Sequence, residues 1–93
     1  MWAGKEFNHV PEVTFDKANN SVTLMTNHPM ANDHWITTHY IRNQDGLVIG
    51  LKEYNGSDPM AQATFVLPPG TTSIVAYSHC NLHNDWQSGS TRV

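Results

Sequence analysis

The sequence predicts an all-β protein, an antiparallel β-sandwich of immunoglobulin-like size with about seven strands. Three observations carry this prediction. Short segments rich in β-branched and aromatic residues recur along the chain, clusters of Gly, Pro, Asn, Asp and Ser separate them, and no window of useful length has a helical period.

EVTFD (12–16) alternates apolar and polar side chains, as a strand with one buried face does. KANN (17–20) supplies a turn, and SVTLMT (21–26) returns as its hairpin partner. The loop NHPMAND (27–33) leads into HWITTHYIRN (34–43), a long strand. QDG (44–46) turns the chain into LVIGLKEY (47–54), where Gly50 signals a bulge or a close backbone approach. NGSDP (55–59) is a loop, QATFVL (62–67) a strand, PPG (68–70) a turn and TTSIVAYS (71–78) a strand that delivers the chain to HCNLHNDW (79–86). QSGSTRV (87–93) reads as a frayed tail.

Ninety-three residues suffice for one small domain, 1–93, with one hydrophobic core. Such a domain gains from a staple such as a metal or an oligomer interface. Five Lys plus Arg against eight Asp plus Glu give a net charge of −3, and the basic residues, at 5, 17, 42, 52 and 92, form no patch, which argues against nucleic acid. No run approaches the ~18 apolar residues of a membrane span. The start, MWAGKEFNHV, lacks the apolar stretch of a secretory signal. A single cysteine cannot form an intrachain disulfide, so a reducing cytoplasm is the expected compartment.

The six histidines are placed unevenly. His9 precedes VPEV, His28 and His34 bracket HPMANDH, His39 lies within a strand, and His79 and His83 flank Cys80. A lone histidine is usually structural, and His39 and His79 keep that reading; side-chain alternation points His79 away from the side of Cys80. Cys80 and His83 stand in Cys-x-x-His spacing, which lets a soft thiolate and an imidazole reach one ion. With His9, His28 and His34 the count becomes four imidazoles and one thiolate. Five ligands exceed the four of a closed zinc site, and five with a sixth position open suit iron.

HVP (9–11), HPMANDHWI (28–36) and CNLHNDW (80–86), in this order, resemble the superoxide reductase family, that is neelaredoxin and the iron-binding domain of desulfoferrodoxin. The resemblance implies an immunoglobulin-like seven-stranded sandwich. It implies one mononuclear non-haem iron, with His9, His28, His34 and His83 as equatorial ligands, Cys80 as the axial one and an open position opposite the sulfur. The activity implied is the one-electron reduction of superoxide to hydrogen peroxide. It also implies homo-oligomers and, because the four-cysteine iron module of larger members has no counterpart in a chain with one cysteine, an external electron donor such as a rubredoxin-like protein.

The chain departs from the family pattern at three places. Phe7 and Asn8 stand where members usually carry a Glu-Lys pair before the first histidine, with Lys5 and Glu6 a few residues earlier. Losing the lysine there implies a slower encounter with an anion and a weaker salt dependence. Asn84 replaces a glycine after the last histidine, and Asn tolerates left-handed backbone angles. Two other readings of the residues remain: a cupredoxin-like electron-transfer protein, which would want a methionine soon after its last ligand, and a non-catalytic metal-binding β-sandwich.

Overall fold

The computed structural model describes residues 10–28, 30–31, 34–82 and 84–93. Among them eight strands form two antiparallel sheets, and no helix occurs. The smaller sheet has the order β1-β2-β5, from Glu12–Asp16, Ser21–Thr26 and Ala61–Val66. The larger has the order β4-β3-β6-β7, from Val48–Glu53, Ile36–Asn43, Ser73–Cys80 and Asn84–Gln87, and the two-residue β8 (Thr91–Arg92) also pairs with β6. This is the all-β sandwich that the alternating pattern predicts, with β1 and β2 at the expected limits and the limits of the later expected strands displaced by at most two residues.

The hairpins form where the turn chemistry places them. In KANN, Asn20 takes the left-handed region (φ 50°) while Asn19 bonds Asp16 through its backbone N at 3.3 Å and its side chain at 2.7 Å. Those bonds hold the Asp16 carboxyl below its ordinary range. In the β3–β4 turn Gly46 takes φ 79°, and Asn43 Oδ1 accepts the backbone N–H groups of Asp45 and Leu47.

The tail differs from expectation. Gln87 ends β7, Thr91 and Arg92 pair with Ile74 and Ser73, and Val93 donates its N–H to Thr72 O at 3.0 Å while packing against the core. The edge of β6 presents ladder groups that need partners, and the returning backbone supplies them. Similarly, HCNLHNDW is no simple loop: β6 runs on through Cys80 and folds back as β7, pairing Cys80 with Asn84.

Two irregularities shape the interior. Thr37 is an extra residue between the Ile36↔Cys80 and Thr38↔His79 pairs. It lets Ile36 and His39, three apart and otherwise on opposite faces, both point inward, where each is fully buried. In β4 the register slips between Ile41↔Gly50 and Arg42↔Val48, and a Cβ on Gly50 would lie 2.7 Å from Phe65 Cδ1. Gly50 thus marks both of the features its position in a strand suggests.

The core divides in two. One cluster is aliphatic, built from Val22, Leu24, Ile41, Leu67, Ile74 and Ala76. The other gathers Ile36, Tyr54, Ala61, Ala63 and Cys80, with Met30 and Trp35 packed against it; Phe65 touches both. The second cluster lies where β6 ends.

Candidate metal centre

Strand alternation determines where the cysteine points. In β6, Ile74, Ala76, Ser78 and Cys80 face inward and are at most 1% exposed, while His79 faces outward. His79 Nδ1 lies 2.7 Å from Asp85 Oδ1 on the outer face, in accord with its structural reading. Cys80 sits opposite Ile36 at the end of the strand, fully buried.

The two histidines arrive on the connection between β2 and β3. His28 N donates to Thr26 O at 2.9 Å, a tight bend directly after β2. Ala31 and His34 exchange backbone hydrogen bonds of 3.1 and 3.2 Å, so the chain folds back on itself before β3. This bend brings the His28 and His34 rings edge to face, with centroids 4.6 Å apart and planes at 85°. His28 is 8% exposed and its Nε2 lies 3.8 Å from Cys80 Sγ.

One ligand atom from each of His28, His34 and Cys80 thus lies within 4.8 Å of the others, a group able to hold a metal ion. The donor set fits that use. Metal bonds of about 2.0–2.3 Å to nitrogen and sulfur separate neighbouring ligand atoms by roughly 3–4 Å, the range of the Sγ–Nε2 distance. Imidazole nitrogen with thiolate sulfur is a combination suited to iron, copper or zinc. His9 and His83, the other two expected ligands, lie outside the described residues, as do Lys5, Glu6, Phe7 and Asn8.

Hydrogen bonds hold the two ligand-bearing segments together. Trp35 N donates to Asn81 Oδ1 at 2.9 Å and Asn81 N donates to Trp35 O at 3.2 Å, which ties the neighbour of His34 to the neighbour of Cys80. Trp35 Nε1 donates to Tyr54 O at 3.2 Å. The indole therefore does more than fill the core, the role its size alone suggests. Beneath, His39 bridges the sheets, with Nε2 2.6 Å from Thr26 Oγ1 and Nδ1 2.8 Å from Tyr54 OH. Burial first, and the Lys52 charge second, lower the His39 pKa to about 4, so the ring is neutral. Burial also pushes the Tyr54 phenol up, with Asp58 adding to the effect. Nothing in the local sequence signals these bonds, because their partners lie 13 and 15 residues from His39.

Known proteins share this fold. The family model for desulfoferrodoxin matches residues 2–89. Among solved structures, the superoxide reductase (1Fe-SOR) of Giardia intestinalis superposes with a TM-score of 0.80 at 23% identity, over 92% of this chain and 98% of that one. The superoxide reductase of Treponema pallidum has a TM-score of 0.76 at 27% identity, over 91% of this chain and 67% of that one. The superoxide reductase (neelaredoxin) of Ignicoccus hospitalis has a TM-score of 0.74 at 20% identity, over 91% and 79%. A comparison with curated protein sequences returned no match.

Proposed function

The chain belongs to the desulfoferrodoxin family, and from that premise we propose that it is a superoxide reductase whose single iron is held by His9, His28, His34 and His83 through nitrogen and by Cys80 through sulfur. The observation that carries the reading is the convergence of His28, His34 and Cys80 from two chain segments more than 40 residues apart. Iron bound there supplies the single electron that, with two protons, converts superoxide to hydrogen peroxide.

The residues of the chain have separable tasks in this reading. Neutral imidazoles leave the ferrous state favoured, and the Cys80 thiolate contributes anionic density to the metal. Burial of Cys80 among Ile36, Tyr54, Ala61 and Ala63 keeps water from the sulfur. The reciprocal Trp35–Asn81 bonds hold the sulfur-bearing strand end against the histidine segment. The reducing electron arrives from an external donor such as a rubredoxin-like protein. A single domain spanning 1–93, assembly into homo-oligomers and a cytoplasmic location complete the proposal. Among the described residues no helix is long and apolar enough to cross a membrane.

Reconstitution tests the reading. The protein is expected to take up one iron per chain and to develop a thiolate-to-iron charge-transfer band on oxidation. Cys80→Ala is expected to remove the band. With an external reductant, superoxide is consumed with one hydrogen peroxide formed per superoxide and no oxygen evolved. A stable copper or zinc protein, or an iron protein without the thiolate band, rejects the assignment.

A further inference from the structure

We propose that His39 is a positioning residue for the metal centre, acting through Thr26 and Tyr54 on the two flanks of the histidine segment. This rests on the site assignment above. His39 is fully buried and touches no ligand residue through the hydrogen bonds described; each of its ring nitrogens instead meets a hydroxyl attached to a backbone that leads to a ligand.

On one side Nε2 holds Thr26 Oγ1 at 2.6 Å, and the carbonyl of Thr26 accepts the N–H of His28 at 2.9 Å. A rotation of Thr26 is therefore passed to His28 through a single hydrogen bond. On the other side Nδ1 holds Tyr54 OH at 2.8 Å. Tyr54 N donates to Thr37 O at 2.8 Å and Tyr54 O accepts Trp35 Nε1 at 3.2 Å, so the tyrosine braces Trp35, the neighbour of His34. Trp35 in turn exchanges two hydrogen bonds with Asn81, the neighbour of Cys80. His39 is thus the junction from which both ligand-bearing segments are braced.

The energetics point the same way. A neutral imidazole has one donor and one acceptor, and since either hydroxyl can donate or accept, both tautomers satisfy the pair of bonds. Burying this ring in place of an aliphatic side chain brings a desolvation cost that its hydrogen bonds only offset. Its distinctive contribution is directional: it joins Thr26 of the smaller sheet to Tyr54 beyond β4 of the larger, at the end of the sandwich where the ligands gather.

Cobalt(II) titration of the metal-free protein tests the proposal, followed by its thiolate charge-transfer and ligand-field bands. Tyr54→Phe removes one oxygen and keeps the ring; Thr26→Val removes the other hydroxyl at nearly constant volume. Both are expected to weaken cobalt affinity about ten-fold and to shift the ligand-field bands. His39→Gln, whose amide replaces Nε2 toward Thr26, is expected to retain more affinity than His39→Leu. Ile74→Val, in the aliphatic cluster, serves as the control for a loss of stability alone, and dichroism establishes that each variant is folded. Wild-type affinity and bands in folded Tyr54→Phe and Thr26→Val overturn the proposal, as does an equal shift in Ile74→Val. A wild-type protein that takes up cobalt without a thiolate band overturns the site assignment itself, a failure visible before any substitution is made.

Discussion

The two halves of the core are built on different principles. The aliphatic half, around Val22, Leu24, Ile41 and Ile74, is built from close-packed aliphatic side chains and gains its stability from area removed from water. The ligand half is of similar size but mixes Cys80, Tyr54 and Trp35 with alanines, and the buried polar side chains of His28, His39 and Thr26 lie beside it. Among the described residues no buried side-chain nitrogen or oxygen lacks a partner. The contrast teaches that one sandwich can concentrate its stability at one end and its directional bonds at the other.

Four measurements break or sharpen that contrast. The largest effect is expected from Leu24→Ala, which opens a cavity at a fully buried position and costs about 2–5 kcal/mol in denaturant unfolding. The metal-binding spectrum of the protein that remains folded should not change. If it does, the halves are not separable.

Next comes pH. His39 takes up a proton near 6.5 when unfolded and only near 4 when folded, so between these values the unfolded chain binds more protons. The contribution is present in full above about pH 6.5 and is lost as pH falls toward 4, a difference on the order of 3 kcal/mol. Urea unfolding of metal-free protein across this window, compared with His39→Gln, should show the wild type losing more stability. Parallel curves would remove the ligand half's dependence on a neutral ring.

Gly50→Ala probes the seam. Its Cβ would meet Phe65 Cδ1 at 2.7 Å, Phe65 Cγ at 3.0 Å and Ile41 Cγ1 at 3.2 Å, and Phe65 packs against both clusters. We expect a loss of about 1–3 kcal/mol together with a perturbed metal-site spectrum, the one core substitution of these that reaches both halves. The smallest effect belongs to His79→Ala. His79 adjoins Cys80 in sequence, yet it faces outward, and its pairing with Asp85 joins side chains that are 43% and 55% exposed. The expected change is below about 1 kcal/mol with no spectral shift, so a large response would mean that proximity along β6 matters more than the face a residue occupies.

Much of this was legible in the sequence because it is local. Alternation in EVTFD and SVTLMT, the turn residues KANN and QDG, and the inward parity of Cys80 against the outward parity of His79 all follow from a period of two and from backbone preferences over a few residues. The pairing of QSGSTRV with β6 was not legible, because its short polar run carries no pattern of its own and is recruited by the edge beside it. Nor was the Thr37 bulge, without which His39 would face away from Thr26 and Tyr54.

The sequence by itself determined the strand pattern, the turns, the family motifs and which histidines flank the single cysteine, since each depends on residues close together in the chain or on a fixed spacing. Only the tertiary structure decided that Thr26 and Tyr54 meet on the two nitrogens of His39, that Trp35 locks to Asn81, and that His28, His34 and Cys80 share a few ångströms of space. Those contacts arise where two sheets close on each other, and which groups then face across the gap depends on the register and bulges of every strand between them.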